Sequence, residues 1–307
     1  MTMRFDGLTR GGRLRSTLLP VAAAAMLALS STGCEAKVFG APVDPAPATR
    51  SPQAPESPSG VPTFDGLADR IAHATSDAAA DGATLSVAVL DRATGQMLSN
   101  GNAQLVAIAS AAKLFIADDL LSHGSSGDGA LSPTDRRALD SMLRSSDDGA
   151  AEMFWAARGG DAIINEVAGR YGLTSTTPPS DGQWWDTMSS TSDLVRYYDR
   201  LLSGSGGLSG ERAEVILNDL AGSTATGADG YPQRFGIPDG LYAEPVAVKQ
   251  GWMCCMDGSS WMHLSTGIIG ADRRYVMVIE SLQPSDDATA RDTITQAVKT
   301  MFPGGRI

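Results

Sequence analysis

Lysine is the scarcest charged residue in this 307-residue sequence: four lysines stand against twenty arginines. Where charge alone is wanted the chain writes arginine, so a lysine marks a place where a group able to lose its proton has a use. Cysteine and histidine are equally rare, three of each. His73, His123 and His263 form no ligand spacing with one another or with the thiols, so neither a metal nor a cofactor is expected. Positive charge is short overall. A net charge of −11 argues against nucleic acid as a partner and against anionic lipid held by charge. After residue 30 there is no apolar run long enough to span a bilayer, and no internal repeat.

An apolar stretch too short to span a bilayer comfortably is present instead at the start. Arg4, Arg10, Arg13 and Arg15 precede the apolar stretch Thr17 to Ser30, which is the pattern of an export signal over residues 1–33. Small residues then lead to Cys34 in "STGC", a position suited to lipid attachment, although Ser31 stands where such sites carry leucine. Simple secretion is the alternative. Residues 35–62 hold seven of the sixteen prolines and few large apolar side chains, so 34–62 is expected to be a lipid-bearing cysteine followed by an unfolded tether. On this reading the protein works outside the cytoplasm, at the outer face of the membrane. Residues 63–307 are enough for one large domain or two joined lobes.

Within that domain, Phe64, Leu67, Ile71, Ala74 and Ala78 recur at helical spacing. Leu85, Val87 and Val89 alternate before the turn "DRATG", which predicts a hairpin returning through Gln96 to Asn100. Three more strands are expected in "AVAVKQGWM", "WMHLSTGIIG" and "RRYVMVIESL", then a helix capped by Ser285 and running through Ile294, Val298 and Met301. The middle is mostly helical. Strands from both chain ends therefore pair as one five-stranded antiparallel sheet with the terminal helices on one face, an α+β arrangement. The sheet lobe takes 63–109 and 239–307, a helical lobe takes 110–238, and a cleft between them is the natural place for a small-molecule site.

Two of the four lysines sit in suggestive places. Ser110 opens the apolar run "AAKLFIADDLL", so Lys113, three residues on, lies on the same helical face. Burial or a neighbouring cation can lower a lysine's pKa enough for it to take a serine proton. Ser146-Asp147-Asp148 precedes another helical run, and Lys249-Gln250-Gly251 lies on a strand beside the C-terminal hairpin. Cys254 and Cys255 are adjacent; they are read either as a disulfide between neighbours or as two buried free thiols.

Ser-x-x-Lys, then Ser-Asp-x, then Lys-x-Gly on a strand resembles the serine β-lactamases and penicillin-binding D,D-peptidases, class A above all. The likeness extends to "SVAVLDRATGQMLSNGN", "DTMSSTSDLVRYYDRLL" and "STGIIGADRRYVMVIES", and so covers most of the domain. It implies a β-lactamase-like fold with a trimmed helical lobe. By the same resemblance Ser110 is the nucleophile, Lys113 its base, and Ser146 with Lys249 the proton route to the leaving nitrogen. Backbone N–H groups of Ser110 and Trp252 would hold the oxyanion, and a β-lactam or a cell-wall peptide is the implied substrate. Gly251 is the family's glycine, which lets a ligand lie close to the strand.

Three departures qualify the likeness. Asp148 replaces the family's asparagine, and a carboxylate cannot donate to a substrate carbonyl, though it can pair with a lysine. Gln250 replaces a hydroxyl residue that meets the substrate carboxylate. The loop "GLTSTTPPSDGQWWDT" contains no glutamate to activate a deacylating water; Asp181 there reads as a turn residue first. The resulting expectation is an acyl-enzyme former with slow deacylation. The alternative is a silent scaffold that keeps the fold and binds a partner of unknown identity. Asp147 is expected to brace the Ser146 loop and His263 to be a satisfied sheet residue. Trp184, Trp185, Trp252 and Trp261 are expected to pack in core or cleft wall, with Trp252 alone tied to the site.

Overall fold

The computed structural model describes residues 64–124, 131–255 and 258–307. The export signal, Cys34 and the tether lie outside the described residues. Helix α1 (Leu67–Ala80) leads to strand β1 (Thr84–Asp91) and β2 (Gln96–Ser99), then to the short β3 (Val106–Ala107). A tight 3-10 turn, Ala109–Ala112, feeds α2 (Lys113–His123), which is followed by α3 (Pro133–Arg144), α4 (Asp148–Arg158) and α5 (Asp161–Tyr171). After a second 3-10 turn, Trp184–Asp186, come β4 (Met188–Ser189), α6 (Thr191–Ser203), α7 (Gly210–Ala221) and the one-turn α8 (Ile237–Gly240). Strands β5 (Val246–Met253), β6 (Trp261–Ile269) and β7 (Tyr275–Gln283) and helix α9 (Asp287–Met301) complete the order.

The sheet runs β2-β1-β7-β6-β5, antiparallel throughout. Its two-residue period divides the core. Val87, Val89, Met277 and Ile279 pack toward α1 and α9 together with Leu67, Ile71, Ile294 and Val298. Ala88, Val276 and Val278 face the other way and join the core of the helical lobe. Both faces are covered, so the strands read as near-continuous apolar runs.

At the centre of the helical lobe, α2 buries Leu114, Phe115, Ile116 and Ala117 in succession, as a helix surrounded by others must. Even its acids are inside. Asp118 accepts from Arg170 Nη2 at 2.5 Å and from the hydroxyls of Tyr171 and Tyr197. Burial raises its pKa against the pull of Arg170. Tyr198 of α6 ties the lobe to the sheet through Thr266 at 2.8 Å, and Thr266 in turn donates to the Lys249 carbonyl at 2.8 Å.

Two local expectations shift. Asp286, not Ser285, caps α9, its side chain accepting from Thr289 N, while Ser285 bonds the neighbouring carbonyl. A carboxylate is the stronger acceptor facing the positive end of a helix. Cys254 and Cys255 form a disulfide, and both residues are exposed at the end of β5 rather than buried as thiols.

Candidate active site

Ser110 lies within the 3-10 turn, immediately after Ala109, whose φ of +45° is unusual for a residue with a side chain. Ser146 has φ +55° and heads the turn into α4. Strain of this kind persists where surrounding structure imposes it. Asp147 supplies part of that constraint: its side chain accepts from Ala150 N at 3.1 Å and Ser141 Oγ at 2.8 Å, capping α4 and bracing the turn.

The four expected residues meet. Lys113 Nζ stands 2.9 Å from Ser110 Oγ, 3.1 Å from Ser146 Oγ and 2.7 Å from the Ser146 carbonyl. From the sheet side, Lys249 Nζ donates to Ser146 Oγ at 2.8 Å and to the Gln250 carbonyl at 3.2 Å. Ser146 is thus shared by two lysines. All four residues are buried. Burial lowers the pKa of Lys113, opposed by Asp148, whose Oδ1 lies 2.5 Å from Nζ. Lys249 is pushed well below the ordinary lysine value, by burial first and by the charge of Lys113 second.

Gly251 faces the Ser110 turn so closely that a Cβ there would stand 2.8 Å from the Ile108 carbonyl and 3.5 Å from Ser110 N. Only glycine permits that approach. The pocket in front of Ser110 has a volume of roughly 260 Å³ and is lined by Ser110, Asp148, Trp184, Trp185, Trp252 and Met253, with Ala109 at its base. Trp252 stacks on Tyr231 with ring centroids 4.4 Å apart, and Trp184 meets Trp185 edge-on at 5.1 Å. Trp184 and Trp185 thus join Trp252 as cleft walls, while Trp261 stacks on His263 away from it. Their adjacency to the loop expected to close the site was the available signal.

Gln250 is not brought into the cleft. Its side chain is buried on the far face of β5, donating to the carbonyls of Gln233 and Phe235 at 3.1 and 2.6 Å and accepting from Ser265 Oγ at 2.9 Å. Strand alternation is the reason: the period that aims Lys249 at Ser146 aims Gln250 away. Asp148 does line the cleft, paired with Lys113. On the loop, Asp181 is exposed and accepts from Gln183 N at 3.0 Å, a turn role, and neither it nor Asp186 lines the cleft. His263 is buried, with Nε2 2.7 Å from the Tyr231 hydroxyl and 3.3 Å from Asp287; burial takes its pKa down to about 4, so it is neutral.

Among the described residues one group, Asp119, His123 and Glu166, brings metal-capable atoms within 4.8 Å of one another. Arg158 at 2.8 Å from Asp119 and Arg170 at 3.5 Å from Glu166 already occupy its acids, which identifies an ion-pair network.

Comparison with solved structures defines the class. A class A β-lactamase from Mycobacterium abscessus superposes with a TM-score of 0.59 at 18% identity, covering 76% of this chain and 97% of that one. A β-lactamase from Desulfarculus baarsii gives 0.59 at 20% identity (78% and 96%), and PBP-A gives 0.61 at 18% (77% and 94%). The fold is β-lactamase-like. No protein-family model matches the chain. At the level of sequence it is 70% identical over 255 residues to LppW of Mycobacterium bovis and of Mycobacterium tuberculosis, a protein provisionally described as a lipoprotein, covering 82% of this chain and 81% of each relative. The chain belongs to the LppW family.

Proposed function

We propose that this protein is an exported, lipid-anchored serine acyl-transfer enzyme that acts on β-lactams or cell-wall peptides and releases its acyl group slowly. The observation that carries this reading is the unbroken contact from Ser110 Oγ through Lys113 Nζ and Ser146 Oγ to Lys249 Nζ. In its neutral form Lys113 takes the Ser110 proton as Oγ bonds to the substrate carbonyl carbon. The oxyanion rests on the N–H groups of Ser110 and Trp252. The carbon–nitrogen bond then breaks, and the nitrogen receives a proton through Ser146, leaving an ester on Ser110. Water must next attack that ester. Asp148, the one carboxylate lining the cleft among the described residues, is tied to Lys113 and ill-placed to activate it, so the ester persists.

The test is intact mass of the purified protein after exposure to a fluorescent penicillin, with Ser110→Ala as control and substrate loss read in the same samples. A stable adduct absent from the variant is expected. Turnover of roughly 10–10³ per second would contradict slow deacylation. The Cys34 anchor is supported by the naming of the LppW relatives as lipoproteins. Cys34→Ala should move the protein from membrane to medium.

A specific observation favours a second reading, a silent scaffold: the 2.5 Å contact of Asp148 with Lys113 favours the charged form of that lysine, which cannot accept a proton. On that reading Ser110→Ala complements a deletion strain as well as the wild type does.

A further inference from the structure

We infer that the cleft in front of Ser110 selects ligands carrying a primary ammonium group, because Asp148 is its one charged lining residue among the described residues and its walls are the indoles of Trp184, Trp185 and Trp252. The inference rests on reading this cleft as the substrate site. Both groups expected to greet a substrate carboxylate are spent elsewhere. Lys249 is 1% exposed and its ammonium is directed at Ser146 and the Gln250 carbonyl. The Gln250 amide is consumed by Gln233, Phe235 and Ser265 on the other face of the strand.

What remains open to a ligand is negative. The Asp148 side chain is 68% exposed even though Oδ1 takes Lys113. The charges that act most strongly on Lys113 after Asp148 are Asp147 and Asp229, both acids. Asp229 sits at the rim beside Trp252: a Cβ added to Gly227 would stand 2.6 Å from its Oδ1 and 3.5 Å from the Trp252 ring. Indole faces carry negative electrostatic potential and attract cations. Lys113 Nζ already uses one, 4.7 Å from the Trp184 ring centroid. A carboxylate entering this cleft meets a like charge and aromatic walls; an ammonium meets a carboxylate acceptor and the rings of Trp185 and Trp252.

Binding is read from indole emission as the purified protein is titrated with butylammonium, butanol and butyrate, which share one alkyl chain and differ in charge. Butylammonium should saturate the change at a concentration at least about tenfold below that of butanol, the size expected for a partly desolvated cation on an aromatic face. Butyrate should bind weakest. Asp148→Ala should bring the butylammonium and butanol values together, and Trp252→Leu should weaken butylammonium. Binding of butyrate equal to or tighter than butylammonium, or no preference between butylammonium and butanol in the wild type, overturns the inference without need of any variant.

Ser110 labelling by a neutral fluorophosphonate, read by intact mass, judges the enzyme reading separately. Ammonium preference without labelling keeps the inference and removes the enzyme. Labelling with butyrate preferred does the reverse.

Discussion

The helical lobe and the sheet each bring one lysine to the same serine, and the two lysines are treated differently. Lys113, from α2, has a counter-ion at 2.5 Å; Lys249, from β5, has no ion-pair partner within 4 Å among the described residues and feels the charge of Lys113 as well as those of Asp148 and Asp229. Burial discourages the charged form of both; Asp148 and Asp229 oppose it at each, and at Lys249 the charge of Lys113 adds to it. On the proposed mechanism the helical lobe acts on Ser110 through Lys113, and the sheet closes the far end of the same path with Lys249.

Four changes break or sharpen this contrast. The largest effect is expected from Lys113→Met, which removes the base in contact with Ser110: acylation should fall about 10²–10⁴-fold, measured as the rate of adduct formation. Next is Glu280, a case of burial with little compensation. It lies on β7 opposite Ser86, and its Oε1 has no hydrogen-bond partner among the described residues. Burial pushes its carboxyl up to about 7, with Ser86 a minor opposing influence. Because the unfolded carboxyl gives up its proton first, stability is whole below pH 4.5 and drains as pH rises to about 7. The loss is about 3 kcal/mol. Glu280→Gln should abolish that drain, as denaturant unfolding at pH 5 and pH 8 will reveal.

Gly251→Ala attacks the junction between the two lysines. Its Cβ would meet the Ile108 carbonyl at 2.8 Å and force β5 away from the Ser110 turn. A cost of about 1–3 kcal/mol is expected in unfolding, with slower Ser110 acylation in the surviving fold. Asp148→Asn, the smallest of the four, acts on the contrast itself: without the carboxylate Lys113 loses its proton at lower pH.

Much of this was legible in the chain. Alternating Leu85, Val87 and Val89 marked the first strand, while burial of both sheet faces was not read from them, and the scarcity of lysine singled out Lys113 and Lys249. The pairing of Asp148 with a lysine also followed from what a carboxylate can accept. Gln250 was read as a cleft residue because motif position outweighed strand alternation, although the period of two already set it opposite Lys249. Trp184 and Trp185 were legible only as large apolar residues, since nothing local says which side of a loop faces a cleft. The Cys254–Cys255 disulfide was open from sequence because adjacency is compatible with either state.

The central claim is that Lys113 activates Ser110 and that Asp148 sets the pH at which it does so. The direct measurement is the pH dependence of Ser110 labelling by a neutral fluorophosphonate, wild type against Asp148→Asn. The account predicts a rate that rises with pH in both, with the midpoint of the variant at lower pH and hence faster labelling near neutrality. An unchanged midpoint would contradict the role given to Asp148, and absence of labelling at every pH would contradict the activated serine.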